Sequence, residues 1–486
     1  MKNLKGKVNK DGGIGQRMSK ESILAKNTAI VTIGKICTQL ISFFLLPLYT
    51  AYLSTEEYGV VDLLNTLISL LIPVLTFQID QGIFRYLIDK RKDEKGQTKL
   101  ITSTIFFLLA QSAIYLVIFA IVSPWINNEY KYFLATNLVA TAFTNAFLQI
   151  SRGLGDNTKY TLGSFISATV TILLNVILIV GFKMNAYGML TASFLGNVAC
   201  IIYLSISLKL PKYIKRSSYD KNELKTILKY SIPLIPNQIS WWIVNVSDRL
   251  IITYFMNVSM NGIYSVANKF SSVITTIFSV FNIAWTESAA VNFKEEDRDK
   301  YFSKILNITI RFFGALCIGI IAYMPFVFNI LVNESYNEAY AQIPILMIAT
   351  MFNVLVSFLG SIYVAKKLTK EIAKTSFFAA IINAVINIGL INYIGLYAAS
   401  LSTLVAWLAM FIYRFIDSKK HLKLKVDLRL ALSMIVICLI SVTAYYIRNM
   451  VLCGIVALGV TIYAVIINKN NMKSIIQMMK SKLLKK

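Results

Sequence analysis

Histidine and cysteine are scarce in this chain, and their scarcity excludes chemistry that depends on them. The one histidine, His421, stands among basic residues in a predicted loop, so histidine-based catalysis inside an apolar segment is excluded. The five cysteines fall within apolar segments without the spacing of metal ligands, so we interpret them as small buried hydrophobic residues. They are Cys37, Cys200, Cys317, Cys438 and Cys453. No metal site and no cofactor is therefore expected.

The sequence also lacks the features of a signal peptide and of a soluble catalytic domain. The first 26 residues are polar and basic without an apolar h-region, so we expect no cleavable signal peptide. The chain contains no P-loop and no GxGxxG pattern in a strand–turn–helix context, and its polar gaps are too short for a catalytic domain. The sequence therefore predicts neither an enzyme nor ATP-driven transport by this chain alone.

Long apolar stretches occupy most of the chain. Hydrophobic residues make up 56% of it, and fourteen stretches have about the length of a membrane span. The predicted spans are 28–53, 58–87, 100–126, 132–151, 160–182, 186–208, 231–256, 261–290, 305–332, 341–365, 375–394, 396–413, 430–447 and 450–468. The sequence predicts an all-α, polytopic membrane protein with about 14 transmembrane helices.

Positive charge is concentrated in every second gap between the spans. Of the 49 Lys and Arg, 41 lie in the N-terminal segment, the even-numbered gaps and the tail, against three in the opposite gaps. The positive-inside rule makes the basic side cytoplasmic, with both termini on that side. The net charge of +25 then indicates topology and affinity for anionic membrane lipid, and no nucleic-acid partner is expected.

A weak internal repeat predicts how the spans are grouped. At an offset of 203 residues, the segment from Leu53 to Asn65 matches the segment from Met256 to Asn268. The offset covers six spans, so two halves of equal orientation would be related by an axis along the membrane normal. The predicted units are a basic N-terminal segment at 1–27, a six-helix lobe at 28–208, a cytoplasmic linker at 209–230, a second six-helix lobe at 231–413, a cytoplasmic loop at 414–429, two further helices at 430–468 and a basic amphipathic tail at 469–486.

Ionisable residues inside the spans are costly and are therefore candidate functional residues. Lys35 and Asp80 lie at about the same predicted depth, roughly 10 Å from the cytoplasmic ends of spans one and two, so they can neutralise one another. Arg311 and Glu287 can do the same at the inner ends of spans nine and eight. For each pair, the sequence leaves a structural role and a role in transport equally open.

The outer half of the second lobe holds two cations and one carboxylate. Arg249 and Lys269 lie roughly 10–12 Å from the outer face on consecutive antiparallel helices, and Asp248 is the carboxylate available to them. An unmatched buried cation needs an anionic partner, which a ligand phosphate can supply in a central cavity. The alternative is a structural pair of Arg249 with Asp248, with Lys269 alone facing the cavity. Trp242 and Asn245 are candidate contacts to a sugar.

Span seven begins with Pro233 and Pro236, which cannot both lie in an undisturbed helix interior. They predict either a gate or cavity wall at membrane depth, or a helix start at the cytoplasmic interface.

Several short motifs together resemble one family. They are Leu46-Pro47-Leu48-Tyr49, Leu53-Ser54-Thr55-Glu56-Glu57-Tyr58-Gly59, Arg85-Tyr86, Pro233 to Asn237, Asp248-Arg249-Leu250-Ile251 and Gly262-Ile263-Tyr264. With them, essentially the whole chain resembles the bacterial polysaccharide flippases of the O-antigen and capsule type, within the multidrug/oligosaccharidyl-lipid/polysaccharide exporter (MOP) superfamily.

The resemblance implies a two-lobed transporter that flips an undecaprenyl-pyrophosphate-linked oligosaccharide from the inner to the outer leaflet of the bacterial cytoplasmic membrane. It also implies alternating access coupled to an ion gradient, with a polymerase and other polysaccharide-assembly proteins as partners. The expected substrate contacts are Lys269, Arg249, Arg85, Lys35, Arg311, Trp242 and Asn245. The candidates for ion coupling or structural pairing are Asp62, Asp80, Asp248 and Glu287.

Two other functions stay open at this point. A drug–cation antiporter of the same superfamily shares the fold but needs an unpaired carboxylate in its cavity, for which Asp62 or Asp80 can serve. A lipid II flippase shares the mechanism. A membrane-bound sugar polymerase or ligase, which usually has a large external catalytic loop, does not fit the short outer gaps.

Overall fold

The computed structural model describes the backbone of residues 43–293, 295–366 and 368–483. Within these ranges the chain is almost entirely helical and has no strand, which confirms the predicted all-α class. The helices are α1 Leu46–Tyr52, α2 Thr55–Thr76, α3 Ile79–Asp89, α4 Glu94–Val122, α5 Lys131–Leu154, α6 Asn157–Asn175, α7 Asn185–Ser207, α8 Lys221–Ser231, α9 Ile235–Val246, α10 Asp248–Phe255, α11 Val258–Asn292, α12 Arg298–Leu331, α13 Glu338–Ala365, α14 Thr369–Ile394, α15 Leu396–Ser418, α16 Leu428–Ile447 and α17 Met450–Leu483.

Most of the predicted spans are single long helices. Twelve helices in the described part of the chain are long and apolar enough to cross a membrane, and they match predicted spans two to six and eight to fourteen. Span seven is divided between α9 and α10, with Ser247 between them. Span one is described only from residue 43 onward, where α1 forms its outer end. The chain is therefore a multi-pass membrane protein.

Span two is broken where the sequence predicts one continuous helix. Phe77 and Gln78 both take the left-handed backbone conformation, with φ of 50° and 54°, and so separate α2 from α3. Residues other than glycine rarely adopt this backbone conformation, and the sequence has no glycine at either position. The backbone between Thr76 and Ile79 is therefore not part of a helix, although it lies within the bundle.

The two prolines of span seven start a helix. Pro233 lies in the short 3-10 turn Ile232–Leu234, and Pro236 lies in the first turn of α9. Proline is tolerated there because the first N–H groups of a helix have no partner within the helix. The prolines thus lie at the start of α9, and residues of the same stretch line a cavity, so the structure shows a feature of each alternative.

The linker helix α8 folds back onto the first lobe, where it packs against α3 and α4. The Lys99 ammonium lies 3.1 Å from an Asp220 oxygen just before α8. At its other end, a Cβ on Gly82 of α3 would lie 2.2 Å from the Ser231 hydroxyl oxygen, so the two helices touch closely. The linker therefore holds the start of span seven beside the broken span two.

The second lobe is built on α11, α13 and α15, and α16 and α17 join it through α12. Trp285 of α11 is 3% exposed and stacks on Phe358 of α13, with ring centroids 4.4 Å apart. Its indole N–H donates to the Phe358 carbonyl at 3.1 Å. Trp285 thus stabilises the lobe by packing and does not face a cavity.

Candidate functional site

The two lobes cross at a pair of glycines on the side of the bundle opposite the basic loops, which is the predicted outer side. A Cβ at Gly59 of α2 would lie 2.0 Å from the Val258 carbonyl oxygen, and one at Gly262 of α11 would lie 2.1 Å from the Thr55 carbonyl oxygen. Only residues without a side chain let helix backbones approach this closely. The contact is reciprocal under the offset of 203 residues, because Gly59 corresponds to Gly262 and Thr55 to Val258. This symmetry supports the predicted parallel repeat.

Asp62, three residues beyond Gly59, joins the lobes by an ion pair. The Arg249 Nε of α10 donates to Asp62 Oδ2 at 2.8 Å, and the Ser265 hydroxyl of α11 donates to Asp62 Oδ1 at 2.7 Å. The Arg249 and Asp62 side chains are only 17% and 19% exposed, respectively. The structural pair that the sequence offered for Arg249, with Asp248, is wrong. Its partner is Asp62 of the other lobe.

Lys269 lies on α11 one helical turn beyond Ser265 and is partly buried. Its charge acts on those of Asp62 and Arg249. Asp62, Arg249 and Lys269 therefore lie where the lobes meet, and Asp248, which lines the same small cavity as Arg249, brings a second carboxylate close to them. Whether a substrate phosphate uses the charge of Lys269 stays a prediction.

Asp248 is held by neutral donors. It is 4% exposed, and its carboxylate accepts hydrogen bonds from the Tyr264 hydroxyl at 3.0 Å, the Thr403 hydroxyl at 2.7 Å and the Asn387 amide at 3.0 Å. The buried amide oxygens of Asn387 and Asn383 have no partner among the described residues. Buried acceptors are nearly always satisfied. Three helices besides its own thus supply hydrogen-bond donors to one buried carboxylate, and two unsatisfied amide oxygens lie on one of those helices, α14.

The two residues expected to bind sugar, Trp242 and Asn245, have different surroundings. The Trp242 indole N–H of α9 donates to the Ser69 hydroxyl at 2.9 Å and so holds α9 against α2. Asn245 is exposed and lines a smaller cavity of about 170 Å³ in the second lobe. At the outer end, the Tyr336 hydroxyl donates to the Ser54 carbonyl at 2.8 Å. Together with the glycine crossing, the Tyr336 contact joins the lobes on the side opposite the basic loops.

A cavity of about 630 Å³ lies between the lobes, toward the side that carries the basic loops. Its walls come from α2, α3, α5 and α6 of the first lobe and from the start of span seven. Seven of the lining residues carry side-chain amides: Asn65, Gln78, Gln81, Asn145, Gln149, Asn237 and Gln238. Of the described residues that line it, Asp80 has the only carboxyl group and none is Lys or Arg. The cavity therefore lies on the side of the bundle that carries the basic loops, while the glycine crossing joins the lobes on the opposite side, and the predicted topology makes this arrangement inward-facing.

Asp80 lies directly after the break in span two and is 7% exposed. The Gln81 amide donates to its Oδ2 at 2.7 Å, while Oδ1 has no partner within the described residues. Lys35, the partner predicted for it, lies outside the described residues, so that pair stays a prediction.

Three expected site residues lie away from the cavity. Arg85 forms an ion pair with Asp89 at 2.7 Å, with both side chains about half exposed, and does not line the cavity. The Arg311 guanidinium is 3.6 Å from the Asp427 carboxylate in the loop before α16, and Glu287 is exposed. The predicted pair of Arg311 with Glu287 is therefore wrong. Hydropathy fixes the depth of a residue in a span but not the direction in which its side chain points.

Arg152, which is not among the residues expected from the sequence, lies at the rim of the cavity. Its guanidinium stands over the rings of Phe84 and Tyr160, at 4.5 and 5.3 Å from their centroids, and donates to Gln149 Oε1 at 3.2 Å. Both Gln149 and Tyr160 line the cavity. The spacing of three residues between Gln149 and Arg152 on one helix is the signal that could have revealed this pair.

Comparisons with known proteins agree with this geometry. Residues 24–286 match the family described as polysaccharide biosynthesis protein. An uncharacterized membrane protein of Methanocaldococcus jannaschii is 24% identical over 90% of this chain and 94% of its own length. An inward-facing multidrug resistance MATE family transporter of the MOP superfamily superposes with a TM-score of 0.67 at 13% identity, over 80% of this chain and 98% of its own. The lipid II flippase MurJ, in an inward closed conformation, superposes with a TM-score of 0.63 at 16% identity, over 91% of this chain and 100% of its own.

The chain therefore shares the fold of these two transporters, a two-lobed helical bundle with a polar cavity between its lobes. Because the match covers more than half of its residues, the chain belongs to the polysaccharide biosynthesis protein family. The resemblance drawn from the short motifs is thereby confirmed.

We expect loss of either partner of the Asp62–Arg249 ion pair to reduce transport, and loss of both to restore part of it. Removing one partner of a buried pair leaves an uncompensated charge, at a cost of about 3–5 kcal/mol when burial is complete and less here. Asp62→Asn, Arg249→Gln and the double variant should be compared for transport at equal amounts of inserted protein. If Arg249 instead binds a substrate phosphate, the double variant will be as inactive as Arg249→Gln, and the interlobe role is then wrong.

Proposed function

We propose that this protein flips a polyprenyl-pyrophosphate-linked oligosaccharide, with undecaprenyl as the expected lipid, from the inner to the outer leaflet of the bacterial cytoplasmic membrane. The product would serve surface polysaccharide biosynthesis of the O-antigen or capsule type. The observation that carries the proposal is the inward-facing, amide-lined cavity between lobes that meet on the outer side. A sugar head group can enter such a cavity from the cytoplasm, with both termini on that side, and leave it after the lobes rock apart on the outer side.

An apolar groove of about 620 Å³ supports a lipid-linked substrate. It lies between α11, α12 and α17 and is lined by residues such as Phe281, Phe312, Leu316 and Val460. A polyprenyl chain can lie in this groove or in the bilayer while only its polar head group passes through the protein. The tail therefore need not leave an apolar environment during transport.

The pyrophosphate needs cations, and the structure offers two different positions for them. Arg152 stands at the rim of the cavity and bonds to one of its lining residues. Lys269 lies deeper, where the lobes meet. Because a pyrophosphate cannot leave water cheaply without compensation, Arg152 suits the entering substrate and Lys269 suits a later stage of transport.

Transport would be coupled to an ion gradient through Asp248. The carboxylate and the unsatisfied amide oxygens of Asn383 and Asn387 attract a proton or a small cation. Asp248 follows Ser247, where span seven is interrupted, so occupancy of this site can change how α9 and α10 meet. The other three candidate carboxylates have different surroundings: Asp62 binds Arg249, Glu287 is exposed and Asp80 lines the cavity between the lobes.

Deleting the gene and extracting lipid-linked sugars tests the proposal in cells. We expect cytoplasmic-leaflet intermediates to accumulate and surface glycan to fall, since the substrate can no longer reach the outer leaflet. Expression of the unaltered chain should reverse both effects. Unchanged intermediates together with unchanged surface glycan would contradict the proposal.

A second function, drug–cation antiport, is favoured by one observation. Asp80 is a carboxylate in a cavity whose described lining contains neither Lys nor Arg, and a cationic drug would bind such a group. If the deletion strain leaves glycan unchanged and becomes sensitive to cationic dyes, this function replaces the first.

A further inference from the structure

We propose that the inward-facing cavity selects an uncharged oligosaccharide head group, rich in hydroxyl and acetamido groups, over one that carries acidic sugars. This inference rests on the proposed function and specifies which head groups the same cavity accepts. It is carried by the seven amide side chains and by Asp80.

Amide side chains suit neutral sugars because each offers an acceptor oxygen and two donor hydrogens. Sugar hydroxyls also both donate and accept, and acetamido groups pair with amides in the same manner. A carboxylate on a sugar only accepts, and proteins bind it with Arg or Lys, which are absent from the described lining of the cavity. The lining is therefore complementary to neutral groups.

Some of the seven amide side chains form hydrogen bonds within the protein, and others are exposed. Gln81 donates to Asp80, and Gln149 accepts from Arg152. By contrast, the side chains of Asn65, Asn237 and Gln238 are exposed at the cavity wall. Asn65 belongs to the first lobe, whereas Asn237 and Gln238 begin span seven of the second. A head group between them can form hydrogen bonds to both lobes at once.

Asp80 adds a repulsive element. Its carboxyl group lines the cavity, and Oδ1 has no partner within the described residues. That oxygen can accept a hydrogen bond from a sugar hydroxyl, whereas the carboxylate of an acidic sugar has no hydrogen to donate and would place acceptor against acceptor. Specificity is strongest when such repulsion accompanies a favourable contact with the accepted ligand.

The test uses the full chain in proteoliposomes with two synthetic lipids. Both carry the same polyprenyl pyrophosphate and the same acetamido-containing sugar chain, but one ends in a hexose and the other in the corresponding hexuronic acid. We expect the neutral lipid to be flipped at least ten-fold faster. We expect Asp80→Asn to reduce that preference to less than three-fold, mainly by speeding the acidic lipid.

Amide variants provide the second arm of the test. Asn145→Leu and Asn237→Leu should each slow the neutral lipid about ten-fold, because hydrogen bonds to the sugar are lost. Asn222→Leu, an exposed amide on α8 that does not line the cavity, is the matched control and should leave the rate unchanged.

The outcomes separate this inference from the proposed function. If neither lipid is flipped by the unaltered chain, the proposed function fails. If both are flipped at equal rates, or the acidic lipid faster, the flippase function stands and the selectivity inference is overturned. Amide variants that behave like Asn222→Leu would also overturn it.

Discussion

Adding a single methyl group at Gly59 or Gly262 is expected to abolish transport. The new Cβ would lie 2.0 Å from the Val258 carbonyl oxygen or 2.1 Å from the Thr55 carbonyl oxygen, and both obstacles are backbone atoms that no side-chain rotation can move. The lobes would have to separate by roughly 1 Å or more to reach an ordinary contact distance of about 3.5 Å. The outer side would then no longer close, and the inward-facing state would be lost.

Gly59→Ala and Gly262→Ala should each lower the flipping rate in proteoliposomes at least ten-fold, while the protein still inserts in the membrane. Gly389→Ala and Gly459→Ala are the matched controls, because a Cβ at either position meets nothing within 4 Å. They should keep nearly full activity. If Gly59→Ala flips lipid as fast as these controls, close contact at the crossing is not required for transport.

Replacing the Asp248 carboxylate with an amide is expected to uncouple transport from the ion gradient. Asp248→Asn keeps the size of the side chain, but it removes the negative charge that attracts a proton or cation. We expect gradient-driven flipping to fall at least ten-fold. The remaining activity should no longer respond to changes in pH or in Na⁺ concentration, which are measured separately in proteoliposomes.

Glu287→Gln is the matched control for this prediction. Glu287 was also a candidate for coupling, but it is exposed on α11, so its loss should change little. Asn387→Leu should act in the same direction as Asp248→Asn, because it removes a donor to the carboxylate and an unsatisfied amide oxygen. A response to the ion gradient that persists in Asp248→Asn would rule out this coupling site.

Local sequence is sufficient to predict the membrane spans, and short motifs are sufficient to predict the family. A stretch of apolar residues must become a helix in lipid because every backbone N–H and C=O has to be satisfied within the segment. Twelve predicted spans accordingly appear as long helices in the described part of the chain. The offset of 203 residues also matched Gly59 with Gly262, which meet at the lobe crossing.

The charge pairs of the candidate site could not be predicted from the sequence, because they depend on how the helices rotate and on contacts between distant segments. Arg249 and Asp248 are neighbours in sequence, yet consecutive residues on a helix point in directions about 100° apart, so Arg249 reaches Asp62 while Asp248 turns to Tyr264 and Thr403. Arg311 likewise binds Asp427 rather than Glu287. The sequence alone thus predicted the order of the twelve spans that the structure describes as long helices, and it predicted the family. Only the tertiary structure decided which charges pair and which side chains line the cavity, because both depend on how the helices rotate and pack against one another.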